Sequence, residues 1–368
     1  MVVLDISSFG RKNFLQIIDT VRPEAVIFLS VDTFAHRAFN RYCRLRGIPT
    51  LHLYCGLMRV QPVEAKKTHK VNLISQAAFV ASRLTKAFTK VWPNYMKAMI
   101  VTGAPLSAWW RFLEDIYNLT TGKYIQISAL DARTTHSAVY VSAEIPHAIK
   151  KYGFGEKEVT AVGNPDLMTF GLLSDTIGYG VFKESNANTD VMYIDTGLIY
   201  AGVAFNDADD FLKHLLATKH ALELHGKLLI VKLHPDHYKT AFPDMLTENG
   251  IGLVQNTQFV QQLKNCAAAI VEPSTAAMIP ALMGIPVLLA RYGKLSQQLY
   301  GEILTSYPRS IELQDLSKIN HLLSEKSQER DPAKIFFWIN ENVGPLPPED
   351  MPARVASVVK KMVDGNFY

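Results

Sequence analysis

Two stretches far apart in the chain carry side chains suited to gripping an anion. The first is VKLHPDHY, Val231–Tyr238, where the apolar run KLLIVKL stops at a histidine locked in front of a proline. Pro235 has a fixed φ and biases His234 to an extended backbone, so the imidazole is aimed rather than free to swing. An imidazole so held can donate to a phosphate oxygen or move a proton near neutral pH. Taken alone, His-Pro is equally a plain strand terminator. The second stretch is AAAIVEPSTAAMIPALMGIPVLLA, Ala267–Ala290. It reads as a strand ending at Glu272–Pro273, a helix opening on Ser274 and Thr275 and closing at Gly284, and a further strand. Ser274 suits an N-cap, and a helix mouth with free N–H groups and a hydroxyl can cradle a phosphate. Ala276 and Ala277 would let a ligand approach the backbone. The plainer reading is an ordinary capped helix between strands.

Carboxylates supply the other candidates. In VMYIDTGLIYAG, Asp195 ends a strand and Gly197 permits a tight loop, so Asp195 is a base, a nucleophile or the acceptor of an Asx turn. Glu144, in SAEIPHAIKK, is either an acid in a first helical turn behind the capping Ser142 or a general acid/base for an acceptor hydroxyl. NDADDF, Asn206–Phe211, contains an Asp-x-Asp that could hold a divalent cation, but acids are expected where a helix opens. Lys232, Arg291 and Lys294 could offset an anionic ligand. The arginines of RAFNRYCRLRG, Arg37–Gly47, are expected on a solvated face, and Tyr307 and Arg309 of TSYPRSIELQDL could approach the same ligand edge. No Walker A, GxGxxG, GxSxG or HExxH pattern is present.

These residues need rigid elements beneath them. The runs VVLDIS, AVIFLSV, TLHLYC, SAVYVS, EVTAVG, VMYID, KLLIVKL, AAAIVE and PVLLA read as strands, and Lys12–Val21, Phe34–Arg46 and Pro352–Asp364 as helices. Strand–helix alternation implies parallel sheets covered on both faces. The expected architecture is α/β: two Rossmann-like domains facing a cleft, residues 1–164 and 165–350, with a C-terminal helix over 351–368. Ligands in such sheets sit beyond the carboxyl ends of the strands. GNPD, Gly163–Asp166, marks the junction, and KESNANTD, Lys183–Asp190, reads as a solvent loop.

The chain has 368 residues, 48% of them hydrophobic, enough for two cores. A net charge of +4 suits anionic ligands but does not argue for nucleic acid. Three cysteines, Cys43, Cys55 and Cys266, form no CxxC pair, which points away from zinc and disulfides and fits a cytoplasmic protein. MVVLDISSFGRKN lacks the pattern of a signal peptide, and no apolar window is long enough to span a bilayer. The segment Lys86–Tyr117 interleaves aromatics with Lys86, Lys90, Lys97 and Arg111. It reads either as a helical pair with its aromatics packed inward or as a surface for an acceptor or for peripheral contact with the inner membrane.

KLHP followed by VEPSTAAMIPALMGIPVLLARYG resembles the C-terminal half of GT-B glycosyltransferases, above all the bacterial capsule and lipopolysaccharide enzymes with an HP motif that use CMP-activated acidic sugars. GNPD and IPTLHLYCGL resemble the domain junction and a cleft-facing strand and loop of that class. The resemblance implies that His234, with Pro235, and Ser274 contact the CMP phosphate or ribose, that Thr275 and Lys232 lie nearby, and that Glu272 reaches toward the nucleotide. It implies a bacterial surface-polysaccharide enzyme with a nucleotide-sugar donor, a glycan or glycolipid acceptor and no cofactor, a single phosphate lessening any need for metal. The DTGL loop and the YG…Y…YP series look closer to β-Kdo transferases than to sialyltransferases. In retaining β-Kdo enzymes an aspartate placed like Asp195 is the nucleophile of a glycosyl-enzyme intermediate. One departure is Cys55–Gly56, where many relatives have a histidine before the glycine. UDP- or CDP-donor relatives, such as a glycerophosphotransferase or a 2-epimerase, and a non-catalytic GT-B scaffold remain alternatives.

Overall fold

The computed structural model describes residues 13–54, 89, 91–121, 133–182, 190–197, 199, 205–272, 275–292, 301–328 and 331–365. The expected strand at VVLDIS, the loop residues 183–189, and Cys55, Lys86, Lys90, Ser274 and Lys294 lie outside that set.

Two parallel sheets form the frame. The first holds β1 (Val26–Phe28), β2 (Thr50–Leu53), β3 (His136–Val139) and β4 (Val159–Ala161), side by side in chain order. The second holds β5 (Asp190–Ile194), β6 (Leu228–Lys232), β7 (Gly252–Leu253), β8 (Cys266–Val271), β9 (Val287–Ala290) and β10 (Ser310–Leu313), in the spatial order β10-β9-β8-β5-β6-β7. From β5 the chain first walks outward through β6 and β7, then returns to the other side of β5 for β8. The strand order therefore reverses between β5 and β8, and such a reversal opens a crevice at the carboxyl ends. Strands buried on both faces read as continuous apolar runs. Val191, Met192, Tyr193 and Ile194 of β5 are all buried, as are Val287–Ala290 of β9. Two short strands escape the sequence reading. β7 has two residues, and β10 lies within TSYPRSIELQDL, where alternation is too brief to register.

Helix starts follow local chemistry. Asn13 and Gln16 form a capping box on helix Phe14–Val21, and Thr33 accepts from the His36 N–H at the start of helix Phe34–Leu45. Asp207 accepts from the Asp210 N–H and caps helix Ala208–Glu223, so the acids of NDADDF open a helix. Ser142 behaves otherwise than expected. Its hydroxyl donates to the Gly344 carbonyl at 2.9 Å instead of capping helix Ile145–Tyr152.

The basic run divides: Arg44 and Arg46 are exposed as expected, whereas the other two arginines turn inward. Arg37 is buried and donates to Asp115 at 2.7 Å, with its guanidinium over the rings of Phe34 and Tyr95. Arg41 donates to the Thr102 hydroxyl at 3.2 Å. These arginines face helices Trp92–Val101 and Leu106–Thr121 rather than water. That pair packs Trp92, Tyr95 and Phe112 inward, as the inward reading expects, while leaving a second set of apolar side chains exposed.

The C-terminal helix is Met351–Val363. It returns to the end of the first sheet, where Arg354 donates to the carbonyls of Val162 and Pro345 at 3.3 Å and of Pro347 at 2.9 Å. One buried cluster accordingly joins Leu51, Ala138 and Val162 to Met192, Val271, Leu289, Ile339 and Met362.

Candidate functional site

β8, β5 and β6 end level with one another: Ile194 is in register with both Lys232 and Val271. The next residues carry the chemistry. Asp195 follows β5, Leu233–His234 follow β6 and Glu272 follows β8. The central loop ties the outer two together. Asp195 is buried, and its carboxylate accepts from the Gly197 N–H at 2.8 Å and from the His234 N–H at 2.8 Å. The first bond is an Asx turn. His237 Nε2 lies 3.2 Å from the same carboxylate, buried against Phe211 and Phe242, and burial lowers its pKa. Gly197 has a φ of +72°, and a Cβ there would meet His234 Cγ and Nδ1 at 2.9 Å. Only glycine fits where this loop crosses the imidazole.

His234 is thus held by its backbone and flanked by a loop, yet its side chain is 38% exposed. The Asp236 N–H donates to His234 Nδ1 at 3.3 Å, which leaves the proton of the neutral ring on Nε2 for a ligand. Pro235 opens the short turn Pro235–Lys239 at the surface. The extended conformation expected for His234 is present, with φ −63° and ψ 143°.

On the other flank Glu272 is buried. It accepts from the Tyr193 hydroxyl at 2.7 Å, from the Thr196 N–H at 3.1 Å and from the Thr196 hydroxyl at 3.0 Å. The Tyr193 and Tyr292 hydroxyls are 2.5 Å apart and continue the chain inward. Burial, with the Asp195 charge second, pushes the Glu272 carboxyl up to about 8. At neutral pH Glu272 is therefore mostly protonated, an internal tie rather than a free charge. The turn Thr275–Ala277 and helix Met278–Leu282 follow; Ala277, Met278, Ile279, Ala281 and Leu282 are all buried.

Several expected site residues are placed elsewhere. Lys232 faces the core, buried between the rings of Phe170 and Phe259, and its ammonium donates to the Leu233 carbonyl at 3.3 Å. Burial lowers its pKa against an opposing pull from Asp195. As the register partner of Ile194, Lys232 belongs to the opposite face from Asp195, because side chains alternate. Glu144, expected in the first domain, is there, buried in the turn Ser142–Glu144 after β3. Arg309 turns inward to the Gly284 carbonyl at 2.6 Å, Tyr307 to the Ile285 carbonyl at 3.2 Å, and Arg291 lies 3.3 Å from Glu312. Sequence reasoning missed Thr196, Tyr193 and His237. Tyr193 had a readable signal, since it stands two residues before Asp195 and shares its face of β5.

No protein-family model matches the sequence, and no curated protein matches it. Solved structures do. CalG4, the calicheamicin glycosyltransferase, is 13% identical with a TM-score of 0.51, covering 99% of this chain and 82% of its own. The UDP-GlcNAc 2-epimerase of Methanocaldococcus jannaschii, in complex with UDP-GlcNAc and UDP, is 12% identical with a TM-score of 0.48, covering 94% and 78%. The wall teichoic acid polymerase TagF is 10% identical with a TM-score of 0.45, covering 86% and 69%. At such identities the likeness defines the fold alone. The chain has the GT-B fold, two Rossmann-like parallel sheets in one polypeptide.

Proposed function

We propose that this protein transfers a glycosyl group from a nucleotide-linked donor, with the donor phosphate held beyond the carboxyl ends of β5, β6 and β8. One observation carries the reading. On the carboxyl edge of β5, β6 and β8, beside the strand-order reversal, the described carboxylates Asp195 and Glu272 are tied into the protein, while His234 is fixed in place with a partly exposed imidazole whose Nε2 is left to donate. A donor hydrogen bond from that position would bind the phosphate and stabilise the charge on the departing nucleotide. Residues 165–350 hold the nucleotide in this reading, residues 1–164 form the acceptor side for a glycan or glycolipid, and residues 351–368 close the molecule.

The donor carried forward is a CMP-linked acidic sugar of the Kdo type. Its support is the motif pair, HP at His234–Pro235 and EPST at Glu272–Thr275, with Ser274 as the hydroxyl of the second grip. A single donor phosphate calls for no metal or other cofactor. We assign Asp195 to positioning. A nucleophile must reach the anomeric carbon, and this carboxylate is buried with both oxygens bound to backbone N–H groups. Glu144, buried in the first domain, is kept as the general acid/base candidate for the acceptor.

Thermal-shift titration with CMP, UDP and CDP tests the reading. CMP at about a hundred times its dissociation constant should add ~2.7 kcal/mol of stability. His234→Ala should abolish that gain while leaving the unliganded protein within about 1 kcal/mol of the parent, because the imidazole is partly exposed. Stabilisation by UDP or CDP alone would move the proposal to those donors, and no response to any of the three would favour a scaffold. Intact mass after incubation with CMP-Kdo should show no adduct on Asp195; a glycosyl adduct there would restore it as nucleophile.

A further inference from the structure

The helix pair Trp92–Val101 and Leu106–Thr121 presents two apolar faces, and among the described residues only one is covered. Leu106, Trp110, Leu113 and Tyr117 repeat at helical spacing along the second helix and are between 57% and 87% exposed. Ile100 on the first helix is 67% exposed, with Met96 one turn before it. Leu106, Trp109, Trp110 and Leu113 line a shallow depression. Solvent-facing helix positions are ordinarily polar, so a stripe of this kind marks a surface that meets something apolar.

Charge tells what that is. Residues 1–164 hold 21 Lys and Arg against 11 Asp and Glu, a net +10, whereas residues 165–368 hold 17 against 23, a net −6. The modest total conceals a strongly dipolar chain. On the helix pair itself, Lys97 and Arg111 flank the stripe. Asp115 is spent on Arg37 inside, which leaves Glu114 as the exposed acid. A second copy of the chain docking through the same face would bring two basic halves together, which opposes association. Nucleic acid would need cations, not leucines, at the contact. A bilayer with anionic headgroups satisfies both features: aliphatic and aromatic side chains enter the acyl boundary while basic side chains stay among the headgroups.

We propose that the exposed face of helices Trp92–Val101 and Leu106–Thr121 docks the protein on an anionic lipid surface. No helix among the described residues is long and apolar enough to cross a membrane, so the contact is peripheral. It would hold the first sheet against the lipid, independently of which donor the second sheet binds.

Vesicle flotation tests the proposal, using phosphatidylcholine alone and phosphatidylcholine mixed with phosphatidylglycerol. The full chain should float with the mixed vesicles, float less with the neutral ones, and be released by added salt. The double variant Trp110→Glu/Leu113→Glu should lose about tenfold or more in vesicle affinity, since two exposed apolar anchors become charges. Ile100→Ser on the neighbouring helix should weaken binding without adding charge. Unchanged melting and nucleotide response in both variants would show that the fold persists. The proposal is overturned if the parent fails to float with the mixed vesicles or if the variants float like the parent. It is equally overturned if the parent is an oligomer that either variant splits into monomers, since the face would then be a protein interface.

Discussion

Glu272 is a carboxyl held far from its solution behaviour. Its carboxyl is raised from 4.5 to about 8, chiefly by burial and secondarily by the charge of Asp195. Between those values the folded chain keeps a proton that the unfolded chain has released. Stability attributable to Glu272 is therefore whole below about pH 4.5 and falls as pH rises toward 8. Buried His52, His136 and His214, each lowered by burial to about 4, pull the opposite way in acid, so the parent's melting curve alone does not isolate the carboxyl. The comparison with Glu272→Gln does. The glutamine keeps an acceptor for Thr196 and carries no charge. Its melting temperature relative to the parent should climb steadily from pH 5 to pH 8. A difference that stays flat across that range would mean that Glu272 ionises like an ordinary carboxylate.

At the scale of elements, alternation and turn residues made most strands and the helices Phe14–Val21, Phe34–Leu45 and Met351–Val363 legible, because their signals are local. Pro235 and the glycine after Asp195 announced the two loops of the site for the same reason. What was not legible depends on partners distant in sequence. The bond from Arg37 to Asp115 joins residues 78 apart, and no local pattern says that this arginine of a basic helix turns inward. Likewise, Lys232 looked like a cleft-edge cation until register placed it on the core face. Asp195 had three readable roles, and the contacts that bear on them, from the Gly197 and His234 N–H groups, have no local signal on the His234 side. The buried pair makes a sharp test of the helix packing. Arg37→Ala leaves Asp115 uncompensated and also strips the cover from Phe34 and Tyr95, and should cost about 3–5 kcal/mol by urea unfolding. Arg37→Met with Asp115→Leu removes both charges and refills the space, and should recover most of that loss. Equal damage from the single and double variants would mean that the ion pair itself, and not filled space, holds these helices to Phe34–Leu45.

At the scale of the whole molecule, the last described helix crosses back to the first sheet. Helix Met351–Val363 contributes Met351, Val358 and Met362 to the cluster that also contains Leu51 and Val162. Arg354 is its polar fastening, donating to carbonyls on both sides of the junction: Val162 before GNPD, and Pro345 and Pro347 ahead of the helix. Gly163 belongs to the same device. Its φ is +99°, and a Cβ there would come within 3.0 Å of the Arg354 guanidinium. The glycine that reads as a domain-junction signal is thus also the gap through which the last helix is tied down. Arg354→Met keeps the aliphatic stem and removes the donors, leaving three carbonyls to find water at the edge of the cluster. The expected loss is about 1–3 kcal/mol, at the lower end because the guanidinium is partly exposed. Hydrogen exchange should localise it, with faster exchange at Val162, Gly163 and the first turn of the last helix, and unchanged protection in β5, β6 and β8. Should protection fall evenly across both sheets, the helix would be part of one cooperative core. If it stayed unchanged everywhere, the fastening would be ornamental and the apolar contacts alone would hold the chain end in place.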